Sequence, residues 1–199
     1  MQEVKIIALS GYIGSGKDYI AKLAEKQFGY KHLKLAGLVK LNYCLIKGIS
    51  MEQLEERKYK EIARPYLIAL SEKMKEVDTF VHCDYVYNQI LSDLGEGSKA
   101  GKYLLSDLRF PYESIYFGKF DRCSKHTCDI DAKSIFGAEV KYQSIYVESD
   151  LADKSSKAES ESYYESYLKP NSNGVIFNGT NERYDRNSST LINQLVKFV

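Results

Sequence analysis

The sequence predicts an α/β fold: a three-layer P-loop NTPase domain with a parallel sheet of five short strands and helices on both faces. Three observations lead there. Gly11-Tyr12-Ile13-Gly14-Ser15-Gly16-Lys17-Asp18 reads G-x-x-x-x-G-K, with Asp18 where such loops usually carry Ser or Thr. A loop of this kind wraps backbone N–H groups around a phosphate, sets it at a helix N-terminus and brings a lysine to the outer phosphates. It stands between the apolar run Val4 to Leu9 and a helical pattern, Ile20, Leu23, Ala24 and Phe28, stopped by Gly29; that is the strand, loop and helix context the motif requires. Beyond it, short apolar segments alternate with helical ones, and such alternation means parallel strands joined by crossover helices.

Each element can be justified in turn. Val4 to Leu9 is apolar apart from Lys5, as befits a central strand covered on both faces. His32 to Leu35 is a second short strand ending at Ala36-Gly37, and Leu38 to Ile46 is helical. Ser50 with Gln53 forms a capping box that opens a helix at Met51. Pro65 places the start of the next helix near Arg64, because proline is tolerated in a first turn and not in an interior; that helix runs on through Leu67, Leu70 and Met74. Asp78 caps a further helix whose stripe Cys83, Tyr87, Ile90, Leu91 and Leu94 closes at Gly95. After the loop Gly95 to Gly101, the strand Tyr103-Leu104-Leu105 delivers Ser106-Asp107-Leu108-Arg109 to its C-terminal end, where open α/β sheets bind ligands. Phe110-Pro111-Tyr112-Glu113 turns the chain into another helix.

Residues 120–138 show no clear period and read as an insertion; Gln143 to Glu148 reads as a strand. Ser149 to Leu168, rich in Ser, Glu and Lys, reads as a mobile, solvated segment. Gly174 to Asn178 is the last strand. Leu191, Ile192, Leu195, Val196 and Val199 mark one face of a final helix capped by Ser188 or Ser189. No repeat or linker interrupts the pattern, so 1–199 reads as a single domain.

Composition narrows the function classes. The chain is 44% apolar and 28% charged, enough for a buried core, and its net charge of +1 gives no bulk attraction to nucleic acid or an anionic membrane. No apolar run approaches the ~20 residues of a spanning helix, and Met1 to Lys5 lacks the features of a signal peptide. A soluble, cytoplasmic protein is expected. Of the four cysteines, Cys44 and Cys83 lie in helical patterns and read as buried apolar residues. Cys123, His126 and Cys128 offer three soft ligands at a spacing untypical of structural zinc. The tyrosine-rich helices leave inward packing and a homodimer face both open.

A P-loop says that a phosphate chain is bound; phosphoryl transfer also needs two substrates held in line and cations over the charge in transit. Lys17 suits the donor's outer phosphates. Asp18, a charged oxygen in the usual hydroxyl position, suits magnesium. Asp107 at its strand end is a metal-shell or hydroxyl-orienting carboxylate, and the fork of Arg109 suits a phosphate or carboxylate. Lys40, after the second strand, and Arg64 fall in segments able to line the same crevice.

The run Ser10-Gly11 through Lys17-Asp18 resembles the start of the bacteriophage and large-virus deoxynucleoside monophosphate kinases, whose P-loops read S-G-K-D. Phe28 to Lys31 leading to Leu35 to Lys40, then Arg64 with Leu67-Ile68, are similar to that family's acceptor-side segments. Ser106-Asp107-Leu108-Arg109-Phe110-Pro111-Tyr112-Glu113 matches its most recognisable internal motif, and Ser160-Glu161 and Val175 to Thr180 resemble its lid and last strand. Animal-type phosphomevalonate kinases, in the same broader group, share S-G-K-D, a helix like Tyr59-Lys60-Glu61, the S-D-x-R strand end and an S-E pair. The resemblance implies a nucleoside-monophosphate-kinase-like fold with a lid, the candidate being 149–168, and a kinase using ATP and Mg2+. It implies that Gly14, Ser15, Gly16, Lys17, Asp18 and Tyr19 hold the ATP phosphates and metal, and that Lys40, Arg64, Asp107 and Arg109 face the acceptor. Lys17, Asp107 and Arg109 would carry the transfer, with Gly179 and Thr180 near the adenine. The implied acceptor is a deoxynucleoside monophosphate (dNMP), with phosphomevalonate as the alternative; a nucleotide-binding protein without turnover is a third reading. A virus-encoded protein acting in a host cell fits the same resemblance. The chain departs from both families at Ile13 and Gly14, where a basic residue is usual, at Gly37, where the phage enzymes carry Asp, and in the absence of arginine from Ser149 to Leu168.

Overall fold

Five strands pair in parallel in the order β2-β3-β1-β4-β5, in a computed structural model that describes residues 2–95, 101–118, 138–150, 152–154, 163–179 and 188–199. The strands are β1 (Gln2–Ser10), β2 (Lys31–Leu33), β3 (Lys102–Leu105), β4 (Ala138–Glu148) and β5 (Gly174–Phe177). β1 is central because its side chains are apolar on both faces: Val4, Ile6, Ile7, Ala8 and Leu9 are all buried. On one face Ile7, Leu9, Ile145, Val147 and Ile176 pack with Ile20, Ala21 and Ala24 of α1 (Lys17–Phe28) and with Leu191 and Leu195 at the C-terminal end of the chain. Helix α6 (Pro111–Gly118) meets β4, with Phe117 stacked on Tyr142 at 6.5 Å between centroids.

The chain divides into two compact units, residues 1–33 with 90–199, and residues 34–89. The first holds the sheet. The second consists of α2 (Gly37–Lys47), α3 (Met51–Glu55), α4 (Arg57–Val77) and the first part of α5 (Val81–Gly95). Its core gathers Tyr43, Cys44, Leu54 and Ala63 with Leu67 and Leu70 against them. Cys44 and Cys83 are buried, as their helical patterns predict. The remaining helix, α7 (Ser188–Leu195), is followed by a 3-10 turn, Val196–Phe198.

Several expectations hold locally. The capping box at Ser50 is present in both directions, Gln53 N–H to Ser50 Oγ at 3.2 Å and Ser50 N–H to Gln53 Oε1 at 2.9 Å. Others are corrected. Asp78 closes α4 and turns the chain toward α5 by accepting from Phe80 N–H at 2.8 Å, three residues before α5 begins rather than as its N-cap. Pro65 does not open a helix: α4 starts eight residues earlier at Arg57 and carries Pro65 in its interior. Helix formers from Lys58 to Ala63, and the burial of Ala63 and packing of Leu67 and Leu70 on one side, outweigh the roughly 3 kcal/mol that an interior proline costs. β2 ends at Leu33, two residues short of Leu35. β4 begins at Ala138, because Val140 and Tyr142 alternate with Lys141 beside β1 over its full length. Ser188 lies within the first turn of α7.

The segment read as mobile and solvated exposes Asp150, Asp153, Lys154, Glu165 and Ser166 but is anchored at three described residues. Residues 164–168 form one π-helical turn that buries Tyr164 and Leu168, and Ser149 is buried. Its polar composition hides those few inward side chains. The insertion reading of 120–138, with Cys123, His126 and Cys128, lies outside the described residues except for Ala138, which opens β4; Ser160, Glu161 and Thr180 lie outside them too.

Candidate active site

The loop after β1 takes its shape from three glycines. Gly11 (φ 135°), Gly14 (φ 81°) and Gly16 (φ 89°) sit in backbone conformations that L side chains rarely adopt. A Cβ on Gly11 would collide with the Val147 carbonyl oxygen, and one on Gly16 with the amide nitrogen of Asn178. Asn178, just past β5, donates through Nδ2 to Ser15 O at 2.8 Å and is itself anchored by its N–H to Glu148 O at 2.8 Å. Ser15 is fully buried beneath that bond. The loop is therefore braced from two strands before any ligand arrives.

Gly16 is the N-cap of α1 and supplies no side-chain cap, so the first-turn N–H groups are served by nothing within the helix. An anion is favoured at that end. Lys17, the first residue of α1, folds back on the loop and donates to Gly11 O at 2.5 Å, Tyr12 O at 2.7 Å and Ser15 Oγ at 3.2 Å. Tyr19, beside it, is 48% exposed.

Asp18 lies across from the end of β3, which is the neighbour of β1. Ser106 Oγ donates to Asp18 Oδ1 at 2.8 Å, and His32 Nε2 lies 2.7 Å from Ser106 Oγ and 3.9 Å from Asp18 Oδ1. Ser106 is buried, while the Asp18 side chain is 59% exposed. One partly exposed carboxylate at an anion-binding helix end is what magnesium needs when phosphates and waters supply its other ligands. The residues present fit that ion; among the described residues no group of three or more His, Cys, Asp or Glu side chains could hold a metal without phosphates.

Past Ser106 the strand end is fixed by Glu113. Its Oε2 accepts from Arg109 N–H at 2.7 Å and Phe110 N–H at 2.9 Å, half of a capping box on α6, with Pro111 at the first helical position. Leu108 N–H reaches back to Leu9 O at 3.2 Å. Glu113 is buried, and desolvation, opposed by those two N–H donors, pushes its pKa up to about 7. Asp107 and Arg109 both act on it electrostatically, the first raising and the second lowering the value.

In the helical unit, Lys40 is buried and donates to Glu55 Oε1 at 2.5 Å, while Lys60 donates to Glu55 Oε2 at 2.8 Å. Burial opposes ionisation of Glu55, yet the hydrogen bonds from Lys40 and Lys60 hold its pKa at about 2. Arg64 pairs with Glu61 at 3.1 Å on the surface of α4.

Of the residues singled out from sequence, Gly14, Ser15, Gly16, Lys17, Asp18, Tyr19, Asp107, Arg109 and Gly179 fall in the first unit, and Lys40 and Arg64 in the second. Gly179 follows Asn178, where a Cβ would meet the Phe177 ring and the carboxylate of Asp150. His32, Ser106, Glu113 and Asn178 were not read as site residues. Ser106 and Asn178 stand inside quoted motifs, but their partners Asp18 and Ser15 are distant in sequence, so no spacing rule points to them; Glu113 has its partners three and four residues back, and the capping-box spacing was the signal that could have found it.

Residues 9–122, more than half of the chain, match the phosphomevalonate kinase family. The chain belongs to that family. It is thus a P-loop phosphotransferase by kinship as well as by its loop. Among solved structures, this kinase is similar to a protein of Thermus thermophilus (18% identity, 98% of this chain and 97% of the other, TM-score 0.48) and to dephospho-CoA kinase from Campylobacter jejuni (14%, 98% and 97%, TM-score 0.48). No curated protein matches it. No helix among the described residues is long and apolar enough to cross a membrane.

Proposed function

We propose that this chain transfers the terminal phosphoryl group of ATP to a small phosphate monoester, with a dNMP as the acceptor and its diphosphate as the product. The observation that carries the reading is the joining of two phosphate-handling strand ends. The P-loop with Lys17 and Asp18 follows β1, the segment Asp107 to Arg109 follows neighbouring β3, and the bond from Ser106 to Asp18 ties them together. In open α/β sheets ligands bind outside such carboxyl ends. Lys17 exchanges its loop carbonyls for the outer phosphates of ATP. The first turn of α1, from Lys17 to Tyr19, receives those phosphates with its N–H groups, and Gly179 lies near the adenine. Asp18 would hold magnesium, which would supply neutralisation of the charge on the phosphates. Arg109 steadies the acceptor phosphate from a strand end that Glu113 fixes, and Asp107 orients the attacking oxygen. Very little covalent chemistry is asked of the protein; positioning and charge account for the rate.

Phosphomevalonate is the second acceptor, favoured by the family match over residues 9–122. An ADP-coupled assay with Mg·ATP across the four dNMPs, the ribonucleotides and phosphomevalonate separates them. The proposal expects acceptor-dependent ADP with at least one dNMP and no effect of added phosphomevalonate. ADP formed with phosphomevalonate alone would move the acceptor to the second reading, and nucleotide binding without any acceptor-dependent ADP would remove the kinase reading altogether.

A further inference from the structure

We propose that the carboxylate and hydroxyl serving the metal side of this P-loop have exchanged strands, and that Ser106 and His32 are positioning residues for Asp18. The inference rests on the kinase reading above. In P-loop NTPases the residue after the loop lysine is a Ser or Thr whose hydroxyl sits on Mg2+, and the accompanying carboxylate comes from another strand end. Here the residue after Lys17 is the carboxylate, Asp18, and the hydroxyl, Ser106, follows β3, the strand paired with β1. The two groups meet at 2.8 Å. Asp107 follows Ser106 at the same strand end and keeps the acceptor-side role given it above, so the exchange concerns only the pair on the metal side.

The hydrogen bonds have one consistent assignment. An ionised carboxylate only accepts, so the single hydroxyl proton of Ser106 goes to Asp18 Oδ1. His32 Nε2, 2.7 Å from Ser106 Oγ, must then be the donor to that oxygen. The imidazole is fixed in the tautomer with hydrogen on Nε2, or doubly protonated; its side chain is 13% exposed. His32 from β2, Ser106 after β3 and Asp18 after β1 thus form a chain across three strand ends. A carboxylate held through one oxygen loses rotational freedom that binding would otherwise have to remove. That is the work ordinarily shared between a loop hydroxyl and a strand carboxylate.

The test is a swap. Calorimetric titration with ADP, with and without Mg2+, is run on the parent, Asp18→Ser, Ser106→Asp and the double variant. The parent should bind ADP more tightly with Mg2+ than without, and Asp18→Ser should lose that gain by about tenfold or more. The double variant, which restores the usual arrangement, should recover most of it. A double variant no better than Asp18→Ser overturns the exchange. Should the double variant fail to fold, as thermal melting would show, Ser106→Ala and His32→Gln decide. Positioning predicts a raised KM for Mg·ATP, a smaller change in kcat, unchanged ADP affinity without Mg2+, and partial rescue in Ser106→Thr. An equal loss of ADP affinity with and without Mg2+ would reduce the chain to a structural brace and overturn the proposal. A parent whose ADP affinity ignores Mg2+ overturns it too, while acceptor-dependent ADP formation in that same parent would leave the kinase reading standing.

Discussion

Lys17 makes three hydrogen bonds to its own loop, and each has a phosphate oxygen as its natural replacement. Charge-assisted hydrogen bonds contribute about 1.5–3 kcal/mol each. Lys17→Ala should therefore weaken ATP binding by roughly ten- to a hundredfold while leaving the fold intact; equal ATP affinity in titration would remove Lys17 from the site. Gly16→Ala should be costlier to the fold. The left-handed backbone costs about 1–2 kcal/mol for a residue with a Cβ, and the new Cβ would also push Asn178 off Ser15. Chemical denaturation should show a loss of roughly 2–4 kcal/mol, and an unchanged midpoint would contradict the brace.

Glu113 gives a pH signature at the same scale. Its folded pKa of about 7 lies above the usual 4.5, so between those values the folded state binds the extra proton and stability falls as pH rises. The penalty is absent below about 4.5 and complete above about 7. That difference corresponds to on the order of 3 kcal/mol. Glu113→Gln should flatten the dependence of unfolding free energy on pH between 5 and 7 relative to the parent; parallel curves would contradict a buried carboxylate titrating there.

At the scale of elements, α4 carries an unusual cost. Pro65 has no N–H for the carbonyl of Glu61, and its ring crowds that carbonyl. The residue is exposed, so Pro65→Ala should raise stability by about 1–3 kcal/mol, read as a higher urea midpoint; a lower one would mean that the proline itself is needed. Helix start signals misled at this position because they are local, whereas the packing of Ala63, Leu67 and Leu70 with Tyr43, Cys44 and Leu54 is not. β4 was half legible for a related reason. Its second half, Ser144 to Val147, is buried and apolar enough to be read, while its first half alternates with charged residues and is recognisable only beside β1. β1, α1 and β3 were readable because each carries its own signal: apolar on both faces, one helical stripe, a short apolar run before S-D-L-R.

Across the whole molecule, the donor side was legible because a P-loop is contiguous, and the parallel sheet was legible because alternation dictates it. The braces were not. Asn178 reaches Ser15 across 163 residues, Ser106 reaches Asp18 across 88, and His32 meets Ser106 across 74. Such pairs become visible only once the strand order β2-β3-β1-β4-β5 brings their ends together. The central claim, transfer between two phosphates, is tested most directly by following the label from γ-labelled ATP. The account predicts Mg2+-dependent appearance of label in the diphosphate of a dNMP, abolished in Lys17→Ala. Label released only as inorganic phosphate, or at the same rate with and without any phosphorylated acceptor, would contradict it.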